Sequence, residues 1–173
     1  MSASAAPVRP RPWLIGLAAA LATLAADQAL KLWLLFAFDL GRRGAVTLTP
    51  FFDLVLTWNT GISYGWFQTA SVAGQWVLTA VKVTAVVVLA LWLLRAGTRL
   101  AALGLGLIIG GAIGNGIDRL AYGAVVDFAL FHLQIGGKPF NWYVFNLADA
   151  AIVAGVGALL YDSFCGDGAA KAP

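Results

Sequence analysis

Four long apolar stretches, separated by shorter and more polar segments, dominate the pattern of this chain. They cover approximately residues 13–38, 74–94, 100–117 and 143–161. A transmembrane helix needs about 20 consecutive and predominantly apolar residues, and each stretch is close to that length. The pattern therefore predicts an all-α membrane protein, with four transmembrane helices in one integral membrane domain that covers residues 1–173.

The first apolar stretch also has features of a secretory signal peptide. Arg9 and Arg11 precede it, and the small residues at positions 22–26 are typical of a cleavage site. However, apolar residues resume at Leu30 and continue to Phe38, whereas the apolar core of a signal peptide has roughly 7–15 residues. We therefore expect the first helix to be retained.

Two segments between the helices, residues 39–75 and 121–142, have the composition of extramembrane structure. β-branched and aromatic residues at positions 46–58 and 125–133 predict short strands. Gly136 and Gly137 predict a turn after the second of these strand segments. Since both segments follow an outward helix, they lie on the same side of the membrane and predict a small β platform there.

Aromatic residues follow the first strand segment and the turn at positions 59–61. Aromatic side chains are enriched where a membrane meets water. This part of the chain therefore predicts an interfacial segment rather than a fifth span, and its aromatic residues are Tyr64, Trp66, Phe67 and Trp76.

Composition supports the membrane assignment, and charge sets the orientation. Apolar residues make up 61% of the chain, charged residues 11%, and the mean hydropathy is +0.84. The net charge of +3 is spread over helix flanks, so no basic patch indicates nucleic-acid binding. Basic residues concentrate on the cytoplasmic side of membrane proteins. We therefore place both termini in the cytoplasm, together with Arg9, Arg11, Arg95, Arg99 and Lys171.

Polar residues in the helices converge at one depth. Because successive helices run in opposite directions, the end of the first helix, the end of the third and the start of the fourth share the outer level of the membrane. Asp127 follows closely, where the chain returns from the second excursion. Ionisable residues inside a membrane are costly and indicate function. The converging residues are Asp27, Lys31, Asn115, Asp118, Arg119, Asn146 and Asp149.

Helical spacing divides these residues into two groups. Asp27 with Lys31, and Asp118 with Arg119, are expected to form structural ion pairs. Asp127 and Asp149 have no basic residue at helical spacing, so each is the expected partner of the other.

Two adjacent carboxyl groups share a proton because one pKa is pushed upward. Such a dyad supports general acid–base catalysis. The ionised member takes a proton from an attacking water, and the protonated member polarises the carbonyl. This chemistry predicts peptide hydrolysis.

Other chemistries have weaker support. His132 and Cys165 are the only residues of their types, and neither has the partners that a nucleophilic triad or a zinc site requires. Aspartates alone are compatible with Mg²⁺ or Mn²⁺, but no phosphate-binding motif accompanies them. We therefore expect neither a cofactor nor a metal. A small transporter or proton-relay protein remains the alternative function, since buried charges also form proton pathways.

Five ordered sequence blocks resemble the lipoprotein signal peptidases, also called signal peptidase II, which are bacterial membrane aspartyl proteases. The resemblance covers nearly the whole chain. The blocks are Asp27 to Lys31, Asn59 to Gly61, Gly110 to Arg119, Val125 to Phe128 and Phe145 to Asp149. After Gly61, the sequence Ile62 to Gly65 departs mildly from the commonest pattern of the family.

The resemblance implies the roles of the site residues and the substrate. Asp127 and Asp149 would be the catalytic dyad. Family members cleave diacylglyceryl-modified prolipoproteins before the lipidated cysteine in the bacterial inner membrane, near its periplasmic face, and cyclic peptides such as globomycin inhibit them. The resemblance also implies a periplasmic β-cradle and an amphipathic helix, and we expect a monomer. The implied supporting residues are Asp27, Lys31, Asn59, Gly111, Asn115, Arg119 and Asn146.

Overall fold

The computed structural model describes residues 11–61 and 72–165. Five helices and four strands follow one another along this part of the chain. The helices are α1 (Pro12–Leu32), α2 (Leu40–Arg43), α3 (Val72–Leu94), α4 (Arg99–Tyr122) and α5 (Leu147–Cys165), and a π-helical segment, Trp33–Ala37, continues α1. The strands are β1 (Val46–Thr49), β2 (Phe52–Asn59), β3 (Val125–Ile135) and β4 (Lys138–Asn141).

Three helical segments in the described part of the chain are long and apolar enough to cross a membrane. They are Pro12–Ala37, Arg99–Tyr122 and Leu147–Cys165. Within α3, the segment Val83–Leu94 forms a shorter apolar helix. The structure is thus mostly helical, with three candidate spans and one small sheet. The predicted interfacial residues Tyr64, Trp66 and Phe67 lie outside the described residues.

Small residues bring α1, α4 and α5 close together. A Cβ added to Gly106 would collide with the backbone of Gly16, so α4 packs directly against α1. On the other side of α4, a Cβ at Gly104 would lie 2.8 Å from the carbonyl oxygen of Gly155 in α5. Small residues permit such close helix packing in membranes. Buried Ala102 and Leu105 of α4 form an apolar cluster with Ala20 of α1 and Leu93 of α3.

The strands form one antiparallel sheet in the order β1-β2-β3-β4. Phe52 of β2 pairs with Phe131 of β3, and a register shift in β2 follows before Thr57 pairs with Asp127. A second apolar cluster, which includes Leu34 and Phe128, joins the sheet to the end of α1. The sheet therefore lies against one end of the helix bundle, here called the sheet end.

The predicted boundaries of the third and fourth transmembrane helices were wrong. The third long helix continues to Tyr122 and ends at Gly123, whose φ of 75° suits a left-handed helix cap. The last helix covers Leu147–Cys165 rather than residues 143–161. Its predicted first turn is extended instead, because Phe145 pairs with Ala129 of β3. The predicted strands and the Gly136–Gly137 turn are confirmed.

Candidate active site

Strand β3 places Asp127 at the sheet end of the bundle, where only 2% of its surface is exposed. Both oxygens of the carboxyl group accept hydrogen bonds from side-chain amides. Asn59 Nδ2 donates to Oδ2 over 3.0 Å, and Asn146 Nδ2 donates to Oδ1 over 2.7 Å. Asn59 is the last residue of β2, so the neighbouring strand supplies one of the two donors.

Asp149 lies in the first turn of α5 and forms a reciprocal cap with Asn146. The backbone N–H of Asp149 donates to Asn146 Oδ1 over 2.9 Å, and the backbone N–H of Asn146 donates to Asp149 Oδ2 over 3.2 Å. This is the geometry of a capping box, with Asn146 as the N-cap residue and Asp149 as the third helical residue. Asn115 Nδ2 also donates to Asp149 Oδ1 over 2.8 Å.

Asp127 and Asp149 are linked through Asn146. The same asparagine contacts Asp127 through its side-chain amide and Asp149 through its backbone N–H. The two carboxyl groups also interact electrostatically, because the negative charge of Asp149 raises the pKa of Asp127. Their role as a catalytic pair stays a prediction. Each of their four oxygens accepts a hydrogen bond from an N–H group. These N–H groups orient the carboxyl groups. They also occupy the oxygens that a bound cation would need as ligands.

The environment of Asp127 favours its neutral form. Burial raises the pKa of Asp127 to about 6, and the negative charge of Asp149 adds to this effect. The hydrogen bonds from Asn59 and Asn146 act in the opposite direction, because they stabilise the ionised carboxylate. Asp127 therefore changes its protonation state close to neutral pH.

Lys31 is the centre of a buried ionic cluster behind the two aspartates. Its Nζ lies 2.8 Å from Asp27 Oδ2 and 2.7 Å from Asp118 Oδ2. Nζ also donates to Asn115 Oδ1 over 3.1 Å. The predicted pair of Asp27 and Lys31 is confirmed. The predicted pair of Asp118 and Arg119 was wrong, because the close approach of α1 to α4 brings Lys31 within reach of Asp118.

Arg119 instead fastens the end of β2 to α4. Its guanidinium donates to the carbonyl oxygens of Asn115 and Gly61, each over 3.1 Å. Asn59 Oδ1 accepts a hydrogen bond from the Gly61 backbone N–H over 3.1 Å. Arg119 therefore supports the loop that carries Asn59 toward Asp127.

Gly111 allows α4 to approach the start of α5. A Cβ at this position would lie 2.5 Å from the carbonyl oxygen of Ala148 and 2.9 Å from a side-chain carbon of Ile152. A larger residue would push Asp149 away from Asn115. All nine residues predicted for the site, including Gly111, thus lie in one connected region.

Sequence reasoning missed one member of this region, Gln28, and assigned the wrong partner to another, Asp118. Gln28 Nε2 lies within hydrogen-bonding distance of Asp27 Oδ2, the carbonyl oxygen of Gly114 and Asp118 Oδ1, at 3.2, 3.2 and 3.0 Å. Asp118 contacts Lys31 and the backbone N–H of Val126. Gln28 falls inside the block Asp27 to Lys31 that was singled out. Because Gln28 is uncharged, the argument from costly buried charges did not single it out.

Comparisons with known proteins agree with this geometry. The family model described as signal peptidase (SPase) II matches residues 19–165. The chain belongs to the signal peptidase II family. A relative named lipoprotein signal peptidase from Nitrobacter hamburgensis is 71% identical over 158 residues, which cover 91% of this chain and 96% of the relative. A protein of the same name from Rhodopseudomonas palustris is 64% identical and covers 94% of this chain and 99% of its own length.

Solved structures similar to this family member show the same fold. A bacterial membrane enzyme determined at 1.9 Å resolution matches with a TM-score of 0.68 and 21% identity, over 87% of this chain and 92% of that one. A second bacterial membrane enzyme, determined at 2.3 Å, matches with a TM-score of 0.67 and 23% identity, over 91% of each chain. At this identity the similarity concerns the fold. The predicted membrane architecture, with a small sheet on a helix bundle, is thereby supported.

Proposed function

We propose that this protein is an aspartic endopeptidase that removes the signal peptide from diacylglyceryl-modified prolipoproteins, cutting before the lipidated cysteine. The observation that carries the proposal is the meeting of Asp127 and Asp149. They come from a strand and a helix of a signal peptidase II family member, and one asparagine holds both. The relatives named lipoprotein signal peptidase support the choice of substrate.

The two aspartates act as a dyad that carries one proton. The ionised member accepts a proton from water as the water oxygen attacks the scissile carbonyl, and the protonated member donates a hydrogen bond to the carbonyl oxygen. When the C–N bond breaks, a dyad proton passes to the leaving amine. The pKa of about 6 for Asp127 suits this role, because a general acid–base catalyst works best with a pKa near the working pH.

The neighbouring residues keep the dyad in place during this cycle. Asn59, Asn115 and Asn146 donate hydrogen bonds to the carboxyl oxygens. Because these amides cannot ionise, they orient the carboxyl groups without taking part in proton transfer. The remaining supporting residues act through them, namely Asp27, Lys31, Gly111 and Arg119.

The proposed setting is the bacterial inner membrane, with α3 as a fourth span and both termini in the cytoplasm. The sheet end then faces the periplasm, and the sheet serves as the β-cradle. A lipidated substrate reaches this level through the bilayer, while water reaches it from the periplasm. Apolar side chains of α3 and α4, such as Val83, Val87 and Ile117, line a cavity that Arg119 also lines. The enzyme is proposed to act as a monomer that globomycin-type cyclic peptides inhibit.

The test compares Asp127→Asn and Asp149→Asn with the unaltered protein in liposomes. We expect both variants to reach the membrane but to lose cleavage of a diacylglyceryl-modified precursor. Asp162→Asn is the matched control, because Asp162 hydrogen-bonds Thr98 at the opposite end of the bundle. Full cleavage by either dyad variant would refute the assignment. Solute or proton flux without proteolysis would favour the transporter alternative.

A further inference from the structure

Lys31 contacts two carboxylates. Each of them accepts a hydrogen bond from the backbone N–H next to one member of the dyad. Asp27 Oδ1 accepts a hydrogen bond from the backbone N–H of Ala148 over 3.0 Å. Asp118 Oδ2 accepts one from the backbone N–H of Val126 over 3.1 Å. Ala148 directly precedes Asp149, and Val126 directly precedes Asp127. The same ammonium group thus connects, through one carboxylate on each side, to the backbone next to both dyad residues.

The polar groups of this cluster are paired with one another and shielded from solvent. An ammonium group has three N–H donors, and Lys31 directs them to Asp27, Asp118 and Asn115. Gln28 bridges the same two carboxylates through its side-chain amide. Asp27, Lys31 and Asp118 expose 0%, 2% and 1% of their surface. With so little solvent and no spare donor on Lys31, the group has one well-defined arrangement.

Charge compensation alone does not account for this arrangement. A buried ion pair contributes little net stability, because desolvation offsets the attraction of the charges. Here one lysine contacts two carboxyl groups, so the formal charges of the cluster do not cancel. A cluster that only neutralised charge would need a single carboxylate. The second carboxylate has its own backbone contact, and that contact lies next to Asp127.

We propose that Lys31, Asp27, Asp118 and Gln28 form a two-armed clamp that sets the separation of the two dyad aspartates. This inference rests on the proposed protease function. Asp118 is the positioning residue for Asp127, and Asp27 is the positioning residue for Asp149. Lys31 contacts both carboxylates, and Gln28 fixes their relative position because its side-chain amide lies within hydrogen-bonding distance of each. Asp27 lies on α1 and Asp118 lies on α4. The packing of these two helices therefore sets the positions of the dyad residues.

The first test is Asp118→Asn, which keeps the size of the side chain but removes its charge. Nζ of Lys31 then loses one carboxylate, and the peptide before Asp127 loses a charged acceptor. A displacement near 1 Å in an active site costs about 100-fold in rate. We expect kcat for a diacylglyceryl-modified precursor to fall by about that factor, with KM within about twofold of the unaltered value. The pH dependence of kcat should also change, since Asp127 moves relative to Asn59 and Asn146.

Asp162→Asn is again the matched control, and we expect it to keep the unaltered kcat. A merely structural role of Asp118 predicts less folded protein, but a normal kcat and pH profile per folded molecule. That outcome, or an Asp118→Asn variant with unaltered kinetics, would overturn the clamp. The proposed function fails separately, if Asp127→Asn still cleaves the precursor or the unaltered protein does not.

A second pair of variants separates an effect on catalysis from an effect on folding. Lys31→Gln alone leaves two buried carboxylates facing each other without a cation, and removing one partner of a buried pair is strongly destabilising. The double variant Lys31→Gln/Asp118→Asn restores the net charge of the cluster. We expect this double variant to unfold at a higher temperature than Lys31→Gln and still to show a kcat lowered by about 100-fold. Recovery of kcat together with stability would show that only charge balance matters.

Discussion

Replacing Asn59 by alanine is expected to move the alkaline limb of the pH–activity profile to higher pH. Asn59 Nδ2 donates to Asp127 Oδ2 over 3.0 Å, and this hydrogen bond lowers the pKa of Asp127. A hydrogen bond to a charged group contributes about 1.5–3 kcal/mol. One pKa unit corresponds to about 1.4 kcal/mol, so losing the bond should raise the pKa by about one to two. The dyad would then keep its proton to a higher pH.

The assay is kcat/KM for a fluorogenic diacylglyceryl-modified peptide, measured across the pH range in lipid nanodiscs. The profile of kcat/KM reports the ionisation of the free enzyme. Asn59→Asp should shift the limb further in the same direction, because it replaces the donor by a negative charge. Asn141→Ala is the matched control, since Asn141 lies on β4 and pairs with His132. A limb that stays in place or moves to lower pH in Asn59→Ala would refute the reasoning.

Two further predictions concern stability. The pKa of Asp127 in the folded state, about 6, exceeds its ordinary value of 3.8. This group therefore favours the folded state below the ordinary value and loses that contribution as pH rises through about 6, by at most about 3 kcal/mol. Unfolding temperatures in detergent should fall over this range, and an equal fall in Asp127→Asn would contradict the assignment. Gly106→Ala should destabilise the protein by about 1–3 kcal/mol, because its Cβ collides with Gly16. Gly116→Ala, which meets nothing within 4 Å, should leave the unfolding temperature nearly unchanged; equal effects of the two substitutions would refute the packing argument.

The sequence was sufficient to predict which residues meet, because that prediction needs only the direction of successive helices. Asp27 near the end of α1 and Asp149 at the start of α5 reach the same end of the bundle by alternation alone. Asp127 joins them because β3 follows α4 closely. The resemblance to the signal peptidase II family pointed to the same residues. The described residues contain three of the four predicted spans, because the apolar segment of α3 is shorter than those of the other long helices.

The partners of individual side chains were harder to predict, because helical spacing describes only neighbours on the same helix. It paired Asp118 with the adjacent Arg119, whereas the structure pairs Asp118 with Lys31 of α1. That contact depends on how closely α1 and α4 pack, which Gly106 and Gly16 determine. Similarly, the role of Asn146 depends on where α5 begins. The bridge between Phe145 and β3 sets that point, and no local pattern indicates it.

The capping box at the start of α5 gives one carboxyl group two tasks, since Asp149 both closes the first helical turn and faces Asp127. An α-helix turns by about 100° and rises 1.5 Å with each residue. Inserting or deleting a single residue between Asn146 and Asp149 would therefore swing the carboxyl group out of the site while leaving the helix largely intact. Natural or engineered variants of α5 must therefore preserve the interval between Asn146 and Asp149, in addition to the close contact of Gly155 with α4.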